Sequence, residues 1–505
     1  MRFVDGRGGT VARAPGALAA VVALVIVVSG AVAAERAARA SPIDDPFVGG
    51  LTFTGPTSPS IAAIYWNPAA LGLVRGTQVM IGGTVRYAST TVTRLDPTTG
   101  LPGASASAHD LSQPFQWPLG PGGFLGVSSD LGGDRFTIGF ATYMPFVEQT
   151  KYALAPAMNE PTRYQALQVD LRNLALVPAL SIRFAGDFRV GVAPGFLFST
   201  GRLVFAEDTP LDGLTPASCT GVPCGPEDPR GDARINVSSG NGLGDATFSF
   251  TVGGGLYYKH GNLEVGLAYQ SRPVGGAVTG VEVAGEQTTV TAPGGAPVTC
   301  PTQSTTRCVF GDLAYRLPDV WIGGVTWKLR PGLELSATAR WLWLHVHDRI
   351  DVRLTGPTLE GAGVPDHIVL YRGFHDVWDL RGRVSYWLRE RVRLGAQLRI
   401  ETSAVDASAV NAAAVDGLTV QPVGLVEARL VRHLWLGAGY GIAFQGQVTA
   451  NPSVFSPATA MMGCPAQGGD LDACAARNAG QVRPSAAGNY TRVVQDFGLT
   501  MTAKF

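Results

Sequence analysis

Fourteen runs of alternating apolar and polar residues, a shortage of charge, and no long apolar helix after residue 41 predict an all-β chain. The fold they predict is a 14-stranded antiparallel transmembrane β-barrel over residues 77–505. The chain has 505 residues, 46% of them hydrophobic and only 15% charged. Ordinary globular chains carry about 25% charge, so a water-covered surface of this size would be under-supplied. Lys plus Arg and Asp plus Glu are equal at 39 each, which leaves no electrostatic reason to expect nucleic acid as a partner. Length alone suggests roughly three domains at about 150 residues each, but barrels are exempt from that arithmetic. No linker divides the chain.

At the N-terminus Arg2, Arg7 and Arg13 precede an apolar run from Gly16 to Val28 and the small residues Ala31-Val32-Ala33. This order predicts a signal peptide over 1–34, cleaved near Ala33 or Ala34, with Ala40 as a second candidate. A retained anchor is the alternative, but the run is shorter than the ~20 residues a span needs. Export would also suit the six cysteines, which fall in three local pairs, Cys219 with Cys224, Cys300 with Cys308 and Cys464 with Cys474. Each pair sits in a Gly/Pro-rich connection, where an oxidising compartment favours small disulfide loops. The pairing is inferred from proximity, since six cysteines permit 15 connectivities. A zinc site would need His or further Cys nearby at ligand spacing, and no metal is expected.

The alternating runs cover approximately 77–94, 123–131, 135–145, 162–184, 188–205, 245–259, 263–290, 311–329, 333–352, 374–388, 391–405, 414–431, 434–449 and 488–505. Short turns such as Gly186-Asp187, His260-Gly261-Asn262 and Arg330-Pro331-Gly332 alternate with long Pro-rich connections, as in outer-membrane barrels. In the last run Phe497, Leu499, Met501, Ala503 and Phe505 oppose Asp496, Gly498, Thr500, Thr502 and Lys504. In the eleventh, Val392, Leu394, Ala396, Leu398 and Ile400 oppose Arg391, Arg393, Gln397, Arg399 and Glu401. A soluble sandwich would alternate too, yet needs more surface charge than this chain has. In a barrel the apolar face meets lipid and the charged face lines the lumen. Tyr87, Tyr143, Tyr258, Tyr269, Trp321, Trp327, Trp341, Trp343, Trp378 and Tyr440 lie on the apolar parity or near strand ends, where interfacial girdles form. Lumen-facing charges are Arg86, Glu264, Arg340, Asp379, Arg381, Arg383, Arg399, Glu427 and Arg429. Their simplest role is a mutually paired interior; the alternative makes Arg340, Arg381, Arg383 or Arg399 a contact for a substrate carboxylate. His345 and His347 share a strand parity, and without a third ligand they are expected at the wet rim of the sheet. Pro145 in the third run and Pro194 in the fifth each remove one ladder donor, which predicts weak points in the wall.

Before the first run lies Pro59–Val74, centred on Ile64-Tyr65-Trp66-Asn67-Pro68-Ala69-Ala70-Leu71. On chemistry alone Asn-Pro starts a turn and Pro68 opens a short helix. The segment also resembles the Asn-Pro-Ala stretch in the N-terminal hatch of FadL-type outer-membrane transporters. Leu317-Pro318-Asp319 is similar to that family's Leu-Pro-Asp/Glu segment, Phe374–Asp379 with Arg381 to the region after its next long loop, and Phe505 to the terminal aromatic residue of outer-membrane proteins. The resemblance spans about residues 41–505. It implies a hatch over 35–76 inside the lumen, gated at Trp66, Asn67, Pro68 and Ala69, and uptake of long-chain fatty acids or hydrocarbons by diffusion. It further implies an outer-membrane location, contact with outer-membrane lipid, recognition of Phe505 by the barrel-insertion machinery, and neither cofactor nor enzymatic activity. The loop cysteines and Asp379-Leu380 depart from the family pattern. Two other readings stay open, a general aqueous porin and an outer-membrane lipid hydrolase, although no GxSxG, HExxH, P-loop or dinucleotide fingerprint is present.

Overall fold

A strand with one apolar and one polar face must put the apolar face against something other than water, and closing the sheet on itself leaves no free edge. The computed structural model describes residues 43–95, 100–112, 122–152, 160–208, 232–239, 246–274, 281–285, 287–291, 309–356, 359, 364, 366–388, 390–454 and 486–505. The expected signal peptide and all six cysteines lie outside these residues. The wall consists of β1 (Thr77–Leu95), β2 (Phe124–Ser129), β3 (Phe136–Lys151), β4 (Gln168–Arg183), β5 (Arg189–Asp208), β6 (Thr247–His260) and β7 (Leu263–Gln270). It continues through β8 (Val320–Arg330), β9 (Leu333–Leu342), β10 (Val377–Leu388), β11 (Val392–Glu401), β12 (Thr419–Val431), β13 (Leu434–Ala450) and β14 (Gly488–Lys504). Each pairs antiparallel with the next, and β14 closes the ring on β1 from Gln78 opposite Lys504 to Arg94 opposite Gly488. The sheet holds seventeen strands among the described residues; Pro102–Ser112, Asp232–Ser238 and Thr289–Thr291 extend it at the long-loop end, which leaves fourteen in the closed ring.

The faces follow the sequence parity. Phe497, Leu499 and Met501 are each 46% exposed while Asp496 is 1% exposed, and Leu394 is 44% exposed against 4% for Arg399. That outward band of Val, Leu, Ile and Phe is a lipid-facing surface. Near the long-loop end it carries the rings of Trp321, Trp341 and Trp378, the last two stacked at 5.8 Å. Tyr143 departs from its expected place in this girdle. It is 4% exposed and lies between Phe124 at 6.1 Å and Tyr65 at 5.4 Å, because it shares the inward parity of Thr137 and Ala141 while Phe136, Ile138 and Phe140 face out. The short turns use left-handed glycines: Gly261 has φ +58° and Gly332 φ +82°.

Three wall strands are shorter than the alternation predicts. The runs at 263–290, 311–329 and 333–352 leave the barrel at the long-loop end and contribute to a second, four-stranded sheet of Val281–Gly285, Phe310–Tyr315, Arg349–Thr355 and His367–Tyr371. Period two persists across the break because this outer sheet also buries one face: Val283, Leu313, Val352 and Ile368 are all fully buried. Alternation therefore marks a half-buried strand without saying which sheet owns it. His345 and His347 are corrected with it. They sit on a 3-10 turn, Leu344–Val346, with His345 exposed beside Asp376 at 2.7 Å and His347 wholly buried rather than at a wet rim.

His347 Nδ1 donates to the Arg316 carbonyl at 2.5 Å, and its Nε2 accepts from Arg372, which also grips Glu148 with both Nη atoms at 2.6 and 2.8 Å. Burial, with the Arg372 charge beside it, pushes the His347 imidazole down to about 3 from its ordinary 6.5. A depressed histidine pKa supports the fold fully above about 6.5 and progressively less as pH falls toward 3. We expect the protection factors of strands 349–355 and 367–371, that is exchange corrected for the intrinsic amide rate, to be lower at pH 4.5 than at pH 7, and His347→Gln to flatten that difference. An unchanged difference in the variant would assign it to other groups.

Two places in the wall are altered by proline. Pro145 sits in the β3 bulge, where its carbonyl accepts from Asp45 N at 3.1 Å and Val147 N donates to Ile43 O at 2.9 Å, so chain from inside the barrel fills the gap. Between β4 and β5 the pairing stops after Leu176–Phe196 and resumes at Leu180–Val192, and the same register sets Pro178 opposite Pro194. With neither residue able to donate, the ladder opens over three residues on each side.

Candidate functional site

Residues 43–74 fold against the inward faces of the strands. Ala63–Trp66 forms one turn of helix, α1, and Pro68–Leu73 a 3-10 segment. Asn67 separates them in extended conformation, φ −173°, because a residue before proline is barred from the helical region. Pro68 occupies the first helical position, where a missing N–H costs nothing. Ile64, Tyr65, Trp66, Asn67, Ala69, Ala70 and Leu71 are each at most 1% exposed.

A buried loop must satisfy its own polar groups. The Asn67 side chain does so on three sides: Oδ1 caps Ala69 N at 3.0 Å, and Nδ2 donates to Pro56 O at 2.8 Å and to Leu256 O of β6 at 2.9 Å. Trp66 Nε1 donates to Val48 O at 2.9 Å, Gln270 donates to Tyr65 O at 2.6 Å, and Ser181 to Ala69 O at 2.8 Å. The four residues singled out in the sequence thus stand together and touch both their own segment and the wall. Glycines make the approach possible. A Cβ on Gly255 would lie 2.0 Å from Asn67 Oδ1, and one on Gly191 2.2 Å from Ala69 N.

The same segment is fastened by charge. Arg340, fully buried, holds Asp44 bidentately at 2.7 Å twice, Asp379 at 2.9 Å and the Tyr65 hydroxyl at 2.8 Å. Arg381 grips Asp379 at 3.0 and 2.5 Å and donates to Pro46 O at 2.8 Å, with its guanidinium 4.8 Å from the Trp66 ring centre. Arg399 lies 3.2 Å from Asp379 and also pairs with Glu401. Around the lumen Arg86 meets Asp496 at 2.8 Å, and Gln421 bridges Asp496 toward Arg399. Asp44, Asp379 and Glu401 come close enough to hold a cation, but three guanidinium groups already occupy that role. Of the four arginines proposed as carboxylate contacts, Arg340, Arg381 and Arg399 are committed to acids of this chain. Arg383 stands apart, bonded to Thr54 O at 2.7 Å with no carboxylate among the described residues.

Asp44 and Asp45 were not singled out in the sequence. Asp45 accepts from Phe47 N at 3.0 Å and Gly122 N at 2.6 Å, so it too ties the segment to the wall. Their only signal was two acids preceding Pro46 in an otherwise apolar stretch. The cavity left beside this belt, lined by Asp44, Arg86, Arg399, Gln421 and Asp496, measures about 50 Å³. That is room for one or two waters, whose share of liquid volume is about 30 Å³ each.

Comparison with known proteins agrees with this geometry. Among solved structures, a FadL homologue from Pseudomonas aeruginosa superposes with a TM-score of 0.67 at 14% identity, covering 93% of this chain and 100% of that one. The Pseudomonas putida toluene transporter TodX gives 0.58 at 14% identity, over 92% and 96%. The Ralstonia pickettii toluene transporter TbuX gives 0.57 at 13%, over 90% and 98%. No curated protein matches in sequence. At such identities the superpositions speak for the fold alone. The family model described as outer membrane protein transport protein (OMPP1/FadL/TodX), however, matches residues 50–416, most of the chain from the inner segment through β11, and on that match this protein belongs to the FadL/TodX family of outer-membrane transport proteins.

Proposed function

We propose that this protein is an outer-membrane channel for diffusive uptake of hydrophobic small molecules, long-chain fatty acids or hydrocarbons, with residues 43–74 as its gate. What supports the reading is a transport-family barrel with residues 43–74 packed against its inward faces and held there by side-chain hydrogen bonds and ion pairs. Two structural neighbours are described as toluene transporters, which supports the hydrocarbon arm. An apolar solute gains about 25 cal/mol per Å² on leaving water, enough to drive capture without coupled energy. Trp66, Asn67, Pro68 and Ala69 are the residues whose contacts the gate must break. A signal peptide over 1–34, three local loop disulfides and insertion read from Phe505 belong to the same reading of an exported barrel.

A general aqueous porin needs a lumen open from end to end, and at the ionic belt the space beside residues 43–74 is about 50 Å³. His347 spends both ring nitrogens on the Arg316 carbonyl and Arg372 and so offers a lipid hydrolase no base. The test is reconstitution of the wild-type protein. We expect negligible ion conductance in planar bilayers together with saturable uptake of labelled toluene or oleate into cells expressing it. Large steady conductance, or uptake linear in concentration, would overturn the reading.

A further inference from the structure

Beneath the gate, at the short-turn end, the lumen widens into a vestibule of about 340 Å³ whose roof is Thr57, Ser58, Pro59 and Leu73 of the inner segment. Its acids are already engaged: Glu264 with Lys328 at 2.6 Å, Glu334 with Arg393, and Asp187 with Arg183 at 3.9 Å. Of its six cations, Arg75, Lys259, Arg189 and Arg383 have no ion pair among the described residues, and the last two are the buried ones. Arg189 is 4% exposed, has no hydrogen-bond or carboxylate partner among the described residues, and rests 5.7 Å from the Tyr257 ring. It lies directly under the gate, since a Cβ on Gly72 would be 2.9 Å from its Cδ. Arg383 is 8% exposed and bonds only Thr54 O and, at 3.5 Å, the Ser58 hydroxyl. A buried guanidinium without a counter-charge is costly unless an anion or water takes up its donors.

We infer that this vestibule is a carboxylate site for a small amphipathic acid. The Arg189 guanidinium accepts the carboxylate in the planar, two-pronged manner that suits arginine. Tyr257, Leu73 and Trp387, which share the cavity, cover the apolar body. The inference rests on the transport reading for how the ligand arrives, and on the vestibule alone for how it binds.

The probe is benzoate, with benzyl alcohol as its uncharged counterpart, titrated calorimetrically into the full-length protein in non-ionic detergent. Benzoate is expected to bind saturably, Arg189→Gln to weaken it at least tenfold, and benzyl alcohol to give no saturable heat. Arg432→Gln, at the exposed turn between β12 and β13, is expected to bind as wild type. Faster migration of both variants without heating checks that the barrel has formed. No saturable benzoate binding by the wild type, equal binding by Arg189→Gln, or equal weakening by Arg432→Gln overturns the inference. Benzoate binding without hydrocarbon uptake would sink the transport reading and leave the site standing; uptake without benzoate binding would do the reverse.

Discussion

Arg340→Ala is expected to convert a closed barrel into one that conducts ions in discrete bursts. Arg340 is the point at which the inner segment, through Asp44 and Tyr65, and the wall, through Asp379, share one guanidinium. Removing it leaves Asp44, 4% exposed, and Asp379, fully buried, as neighbouring carboxylates with one cation fewer. Breaking a buried pair from one side typically costs about 3–5 kcal/mol. The strands pair with one another and not through this cluster, so that cost falls on the seating of residues 43–74 and the barrel itself survives. The readouts are planar-bilayer conductance and faster migration in SDS without heating, the second reporting the wall alone. A double replacement, Arg340→Met with Asp44→Leu, removes the orphaned charge at Asp44 and should conduct less than Arg340→Ala. Conductance of Arg340→Ala at the wild-type level would mean that the cluster does not hold the gate.

The wall was legible because it obeys one rule with period two, and lipid enforces that rule more strictly than water does. Phe497, Leu499 and Met501 had no choice of face once the sheet closed. What escaped were the departures from the rule. The outer sheet from Val281 to Tyr371 alternates just as the wall does, so its strands were merged with β7, β8 and β9. The bulge at Pro145, where the pairing skips from Tyr143 to Phe146, leaves no mark on composition. The site was half legible. Asn67 and Pro68 announce a capped turn through local chemistry, and the structure agrees atom by atom. The latch was not, because Asp44 and Arg340 are 296 residues apart and nothing local to either names the other. Parity put Arg340, Arg381 and Arg399 in the lumen; only the folded chain tells which of them has charge to spare.

Deleting residues 59–72 should open the channel and abolish its selectivity at once. The excised stretch contains α1 and nearly all of the 3-10 segment, hence every contact made by Trp66, Asn67, Pro68 and Ala69. Gly191 and Gly255 of the wall, whose missing side chains now admit Ala69 and Asn67, would face empty lumen. Asp44, outside the deletion, would keep its bond to Arg340, so the loss would be of the plug and not of the latch. Water then enters a ring lined by Arg86, Arg381, Arg399 and Glu427, a polar interior that passes ions and small hydrophilic solutes. The expected result is a large rise in conductance and in sensitivity of expressing cells to hydrophilic antibiotics, with saturable uptake of labelled toluene or oleate lost. Retained fast migration without heating would show that the wall had assembled. A deletion variant with normal saturable uptake would refute the gate, because a segment that merely corks the barrel can be removed without removing the site that saturates.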